Sequence, residues 1–152
     1  DPNIRLRLWT SSEARDVLRE LVQGVDILLP SQVEGEILFG SNDPGEIARA
    51  ALDLGARVVV VKRGAEGCFV ADRHISKAIP GFPVKVVDAI GAGDAFDAGF
   101  IAGVLEGRSL IESAELGNAS GAFAVAATGD VEGLPTRKEL EVFLGRRARL
   151  ER

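Results

Sequence analysis

Residues 84–107, VKVVDAIGAGDAFDAGFIAGVLEG, constrain this chain more than any other stretch. A β-branched run (Val84, Val86, Val87) reaches a polar switch at Asp88. Gly91, Ala92, Gly93 and Asp94 follow, and Phe96, Phe100, Ile101, Val104 and Leu105 then recur at helical spacing. The pattern predicts a strand, a glycine loop and a helix N-terminus in direct succession. Glycines let backbone approach a ligand closely and adopt positive φ. The free N–H groups of a first helical turn, with the helix dipole, make an anion site. Asp94 falls in that turn. A carboxylate there repels phosphate, so Asp94 reads as a base or metal organiser acting on a group beside the phosphate.

Four readings of the loop compete. A dinucleotide fingerprint needs G-x-G-x-x-G after a strand; Gly91 and Gly93 fit, but Phe96 fills the third glycine position. A P-loop needs G-x-x-x-x-G-K-[ST], and no Gly-Lys-Ser/Thr occurs in the chain. The plainest reading is a glycine turn with Asp94 as a helix cap. The last is a kinase anion hole with a catalytic aspartate.

Asp88-Ala89-Ile90-Gly91-Ala92-Gly93-Asp94-Ala95-Phe96 resembles D-[TA]-x-G-A-G-D-x-F, the signature of the ribokinase-like (PfkB) carbohydrate kinase family. The opening Asp1-Pro2-Asn3-Ile4-Arg5, with Trp9, is most similar to the 2-keto-3-deoxygluconate kinase branch. The resemblance covers nearly the whole chain and corresponds to the C-terminal half of a longer kinase. It implies an α/β fold: a partial ribokinase-like, Rossmann-type three-layer sandwich with a mostly parallel sheet, flanking helices and a small antiparallel hairpin. Residues 1–152 would be the C-terminal, nucleotide-binding part of that kinase domain, with the N-terminal half and its β lid absent. The start at Asp1 and the lack of methionine agree with an excised piece.

The resemblance also implies roles. Asp94 is the catalytic base, and in the loop Gly91-Ala92-Gly93 the amides of Ala92, Gly93 and Asp94 would hold the charge on the transferred phosphoryl. Glu34 matches the glutamate of the family's Asn-x-x-Glu and would organise Mg2+ through water. Ser31 stands where asparagine is usual, which alters any contact that amide makes. In the turn Lys62-Arg63-Gly64-Ala65-Glu66-Gly67, Gly64 and Gly67 would border ATP, and Lys62 is the cation placed to reach a phosphate. Asn118 matches a residue near the adenine base, and Asn3 and Arg5 would lie near the acceptor. Asp88, with loop 124–129, holds a monovalent cation such as K+ in some members, although Ile90 replaces a threonine that many members carry. The implied reaction is phosphoryl transfer from ATP, with Mg2+, to a hydroxyl of a sugar or sugar acid. The alternative is a non-catalytic ATP-binding piece that needs the absent half. An NAD-dependent dehydrogenase is a third reading.

Composition narrows the classes. A net charge of −5 with no large basic block argues against a nucleic-acid partner. Apolar runs fall far short of the ~20 residues that span a bilayer, and no signal-peptide pattern opens the chain. A single cysteine, Cys68, excludes an internal disulfide and suits a reducing cytoplasm. A single histidine, His74, argues against a histidine-based triad. A kinase half stripped of its neighbours exposes a strand edge and apolar faces, so a homo-oligomer is expected.

The remaining pattern reads in order. Ser11 or Ser12 is expected to cap a helix that buries Ala14, Val17, Leu18, Leu21 and Val22, with Arg15, Asp16, Arg19 and Glu20 on the wet face. Residues 25–29 read as a strand stopped by Pro30. Ser31-x-x-Glu34 is also a capping-box pattern, which needs no ligand at all. Pro44 suits a first helical position and Gly55 a helix end. Residues 57–62 are a near-continuous β-branched strand, apolar on both faces across Val58–Val61, as in a helix-covered sheet. Residues 67–71 and 74–80 read as hairpin strands. Gly99 and Gly103 on the central helix suggest close approach by another backbone, and Asp97 reads as a wet-face residue. Ser109 caps the next helix and Thr136 a last one. Residues 146–152 read as a charged, frayed tail.

Overall fold

The computed structural model describes residues 1–129 and 131–146. The chain divides into two compact units, Asp1–Ile79 and Pro80–Arg152. The expected tail lies outside the described residues beyond Arg146.

The first unit carries α1 (Ser11–Val22), β1 (Ile27–Leu28), α2 (Gln32–Phe39), α3 (Pro44–Leu54), β2 (Val58–Lys62), a short 3-10 turn (Gly64–Glu66), β3 (Cys68–Ala71) and β4 (Ser76–Ile79). The strands form one sheet in the order β1-β2-β3-β4. β1 and β2 run parallel, as a helical crossover requires, and a Ser31–Lys62 bridge continues that pairing. β2–β3 and β3–β4 are antiparallel, which supplies the expected hairpin. Val59, Val60 and Val61 are fully buried, so β2 is covered on both faces. Burying each such side chain contributes roughly 1.5–3 kcal/mol. Val22, Leu28, Ile47, Ala51 and Val61 share one core.

Local signals set the helix ends. Ser31 and Glu34 form a complete capping box, Asp43 caps α3 ahead of Pro44, and Gly40 closes α2 in the left-handed region at φ 77°. α1 departs in two ways. Its cap is Thr10, one residue before the expected serines, because Glu13 reaches back to Thr10. Its apolar face is also only partly covered: Ala14 and Val22 are buried while Leu21 is 63% exposed. Arg15 and Arg19 are not simply solvated. Arg15 Nε donates to Ile37 O at 2.6 Å and Arg19 Nη1 to Leu38 O at 3.0 Å. They supply donors to carbonyls at the end of α2 that its own helix leaves unpaired.

The second unit carries α4 (Ala92–Leu105), α5 (Leu110–Val125) and α6 (Arg137–Phe143). Ser109 and Thr136 cap α5 and α6 through Glu112 and Glu139, as their sequences predict. Leu116, Ala119 and Leu140 form a core against Phe82 and Phe123. Phe143 meets Phe82 and Phe123 edge-on, at centroid distances of 4.9 and 5.2 Å.

α4 and α5 pack along a seam of small residues. A Cβ on Gly99 would lie 2.8 Å from Leu116 O, and one on Gly103 would lie 2.9 Å from Ser113 Cα. From the other side, a Cβ on Gly117 would meet the Phe96 ring at 3.0 Å. The glycines therefore answer to close backbone approach, as expected. Asp97 does not: it is 9% exposed and sits on a covered part of α4, not on the wet face. The expected strand at Val84–Val87 is also missing, since no strand is described between Pro80 and Gly91. The amides of Val87 and Asp88 bond instead to Val125 O at the end of α5, at 2.7 and 3.3 Å. A helix-end carbonyl takes the donors that a strand partner would need.

Candidate active site

In the second unit the glycine loop and the start of α4 stand as the sequence pattern predicts. Gly91 is the N-cap, at φ 72° and ψ −4°. Left-handed backbone costs a residue with a Cβ about 1–2 kcal/mol, which explains glycine there. No side chain caps α4. The Ala92 amide reaches back to Ala89 O at 3.4 Å, and the Ala95 amide bonds Gly91 O at 2.9 Å. Between them lie the exposed Gly93 and Asp94 of the first turn. The helix thus offers amides and the positive end of its dipole to an external acceptor.

Asp88 braces this loop. Its Oδ1 accepts from the Ile90 amide at 3.1 Å, and its Oδ2 accepts from the Gly129 amide at 3.4 Å. The Asp88 region and loop 124–129 are therefore adjacent. Asn118 is placed elsewhere. It is 7% exposed on α5, and its Nδ2 donates to Pro80 O at 3.0 Å, holding the connector ahead of the loop.

In the first unit a second group of expected residues comes together. Glu34 Oε2 accepts from the Ser31 amide at 2.8 Å and from the Ser31 hydroxyl at 2.7 Å. Its Oε1 accepts from the Ile4 amide at 2.8 Å, thirty residues away in sequence. Asn3 and Arg5 flank Ile4 and are exposed. Asn3 has φ 45°, the one non-glycine positive φ among the described residues. Lys62 extends this group: its Nζ lies 3.4 Å from Asp1 Oδ2, and its amide bonds Pro30 O at 2.8 Å. After β2, Gly64 at φ 57° and Gly67 at φ 91° form the turn, closed by Gly67 N to Gly64 O at 3.0 Å. A Cβ on Gly64 would meet nothing within 4 Å, so its backbone angle alone calls for glycine.

Ionisation follows the caps. Hydrogen bonds from the Thr10 amide and hydroxyl hold Glu13 below its ordinary carboxylate range, and Ser109 and Thr136, hydroxyl first, do the same for Glu112 and Glu139. Among the described residues no three His, Cys, Asp or Glu side chains cluster to hold a metal ion. Among those residues a dehydrated protein-only cage is not offered. A Mg2+ that keeps its waters and rides on substrate phosphates needs no such cage. Among the described residues no helix is long and apolar enough to cross a membrane.

Each unit holds one contact that sequence spacing does not reveal. One is the Glu34–Ile4 contact, whose partners are far apart in the chain. The other is the Asn118–Pro80 contact, which only the course of the connector creates.

Comparison with known proteins bears out the family resemblance. The model of the pfkB family of carbohydrate kinases matches residues 1–137. A 2-dehydro-3-deoxygluconokinase from Bacillus subtilis is 40% identical over 146 residues, covering 95% of this chain and 45% of that protein. A protein from E. coli assigned as ribokinase II, solved with ATP and Mg2+, superposes with a TM-score of 0.86 at 33% identity, over 97% of this chain and 48% of that one. A Vibrio cholerae fructokinase, solved with fructose, ADP and calcium ion, gives 0.85 at 29% identity, over 95% and 49%. The chain spans about half the length of the curated relatives it matches.

Proposed function

Because this chain belongs to the pfkB family of carbohydrate kinases, we propose that it is the nucleotide-binding part of an enzyme that moves the γ-phosphoryl of ATP to a hydroxyl of a sugar acid of the 2-dehydro-3-deoxygluconate type. One observation carries the reading: α4 opens on Gly91 with no side-chain cap, and an exposed carboxylate, Asp94, sits in its first turn.

Asp94 takes the proton of the attacking hydroxyl; a positioned base contributes roughly 10²–10⁴-fold. The Gly93 and Asp94 amides donate to the transferred phosphoryl, with Gly91 and Ala92 shaping the turn that aims them. Phosphoryl transfer draws mainly on such positioning and charge stabilisation. Mg2+, when bound with the phosphates, supplies further charge neutralisation. Glu34 is the residue to hold one of its waters, since a carboxylate has lone pairs beyond the three hydrogen bonds described. Lys62, Gly64 and Gly67 border the nucleotide, Ser31 shapes the start of α2 beside Glu34, and Asn118 sets the connector near the base. Asn3 and Arg5 face the acceptor. Asp88 and loop 124–129 are the place for a K+, supported by the Asp88–Gly129 contact.

The test mixes the protein with Mg·ATP and 2-dehydro-3-deoxygluconate and follows ADP and phosphorylated product by mass spectrometry. Acceptor-dependent ADP release is expected, with no response to NAD. The second reading is nucleotide binding without transfer, since the uncapped start of α4 offers amides to a phosphate whether or not a hydroxyl reaches Asp94. Saturable Mg·ATP binding without acceptor-dependent turnover would select it, and absence of both would sink both.

A further inference from the structure

We propose that Glu34 is a positioning residue for the acceptor, latching the turn that carries Asn3 and Arg5 to the start of α2. The inference rests on the kinase reading above and deepens it. Three observations carry it. Glu34 divides its carboxylate: Oε2 closes the α2 capping box on Ser31, while Oε1 reaches out of the helix to the Ile4 amide at 2.8 Å. A capping box alone needs only the Ser31 contacts, so the Ile4 contact is additional. Asn3, directly before Ile4, is held at φ 45°. Asparagine tolerates that region better than most residues, but strained backbone persists only where its surroundings hold it. Glu34 holds it from one side, and the Lys62–Asp1 ion pair, with side chains 13% and 26% exposed, holds it from the other.

The chemistry follows from the placement. Asn3 offers an amide and Arg5 a guanidinium, groups that suit hydroxyls and a carboxylate. Both are exposed, so their aim depends on the backbone between them. That backbone is pinned at Ile4. Releasing the pin leaves Asn3 and Arg5 in the chain but scatters them, which weakens acceptor binding and leaves the first turn of α4 untouched.

Two readouts test this, on the full-length protein. The first is amide hydrogen exchange at Ile4. Glu34→Ala is expected to lower Ile4 protection about tenfold or more, as loss of a charge-assisted hydrogen bond implies. Ser31→Ala, which weakens the same cap without removing Oε1, is expected to leave Ile4 protected. The second readout separates substrates. Glu34→Ala should raise the KM for 2-dehydro-3-deoxygluconate about tenfold, and the rise should persist at saturating Mg·ATP and Mg2+, where loss of a water-holding carboxylate no longer limits metal binding. Glu34→Gln has one acceptor oxygen, enough for the Ser31 cap but not for the Ile4 amide as well; it guards against a variant that fails to fold and should show a change in the same direction. Unchanged Ile4 protection in Glu34→Ala overturns the latch, as does equal loss in Ser31→Ala, which would mean that α2 simply frays. A rise confined to the Mg2+ or Mg·ATP dependence also overturns it. If the wild-type protein phosphorylates no acceptor, the kinase reading fails, and Ile4 exchange still decides whether Glu34 holds the turn.

Discussion

At the start of α2, the Ser31 hydroxyl and the Glu34 carboxylate meet the backbone groups that a helix end leaves unpaired. At the start of α4, Gly91 has no side chain to offer and nothing caps the turn. α1, α5 and α6 follow the first pattern through Thr10, Ser109 and Thr136, and α3 uses Asp43. A capped end is balanced internally, with a carboxylate fixed against its amides. The α4 end is left for an acceptor from outside, and its one carboxylate, Asp94, belongs to the helix without closing it. The uncapped glycine end costs the helix only a few tenths of a kcal/mol relative to a Ser or Thr cap, and it is the end at which the proposed function seats a phosphate.

The contrast can be broken in several places. The largest effect is expected at Asp94. Asp94→Asn keeps the open end but removes the base, so kcat should fall by roughly 10²–10⁴-fold, with Mg·ATP affinity held within a few-fold in calorimetry; normal turnover would refute the base assignment. Next, Gly91→Asp places a carboxylate at the open end. It should weaken Mg·ATP binding about tenfold or more by charge repulsion and by left-handed strain at φ 72°. Unaltered affinity would mean that the phosphates sit elsewhere. Ser109→Ala, at a closed end, should lower stability by about 1 kcal/mol in a denaturant titration and leave nucleotide affinity unchanged.

The smallest effect is in pH. Glu13, Glu112 and Glu139 have carboxyls held below their ordinary value of 4.5 by their capping partners. A depressed folded-state value means that the stabilisation is present above 4.5 and is lost as pH falls through the lower folded-state values. Circular dichroism should show helix signal declining below about pH 4.5, and Thr10→Ala should shrink that decline.

Much of this was legible locally. The capping boxes, the glycine loop and the β2 core strand depend on residues within a few positions of each other, and sequence spacing reports such geometry directly. What was not legible depends on distant partners. Arg15 and Arg19 look like solvated charges until α2 ends beside them. Val84–Val87 has strand composition, but Val125 O takes the Val87 amide and that of Asp88 after it. Asp97 carries a charge that suggests water, and only the covering of α4 shows otherwise. Glu34 showed its cap in the sequence, while Ile4, thirty residues earlier, gave no sign of its bond.

The small-residue seam between α4 and α5 has a consequence for how this sequence can vary. A Cβ at Gly99 would strike the backbone carbonyl of Leu116, which cannot yield, and one at Gly117 would strike the Phe96 ring, so volume gained at 117 must be given up at 96. The two helices are not independent variables. A library that randomises α4 alone would consist largely of molecules that cannot close the seam. One that changes positions 96 and 117 as a pair would reach sequences that single steps never cross, while position 99, facing the Leu116 carbonyl, stays glycine.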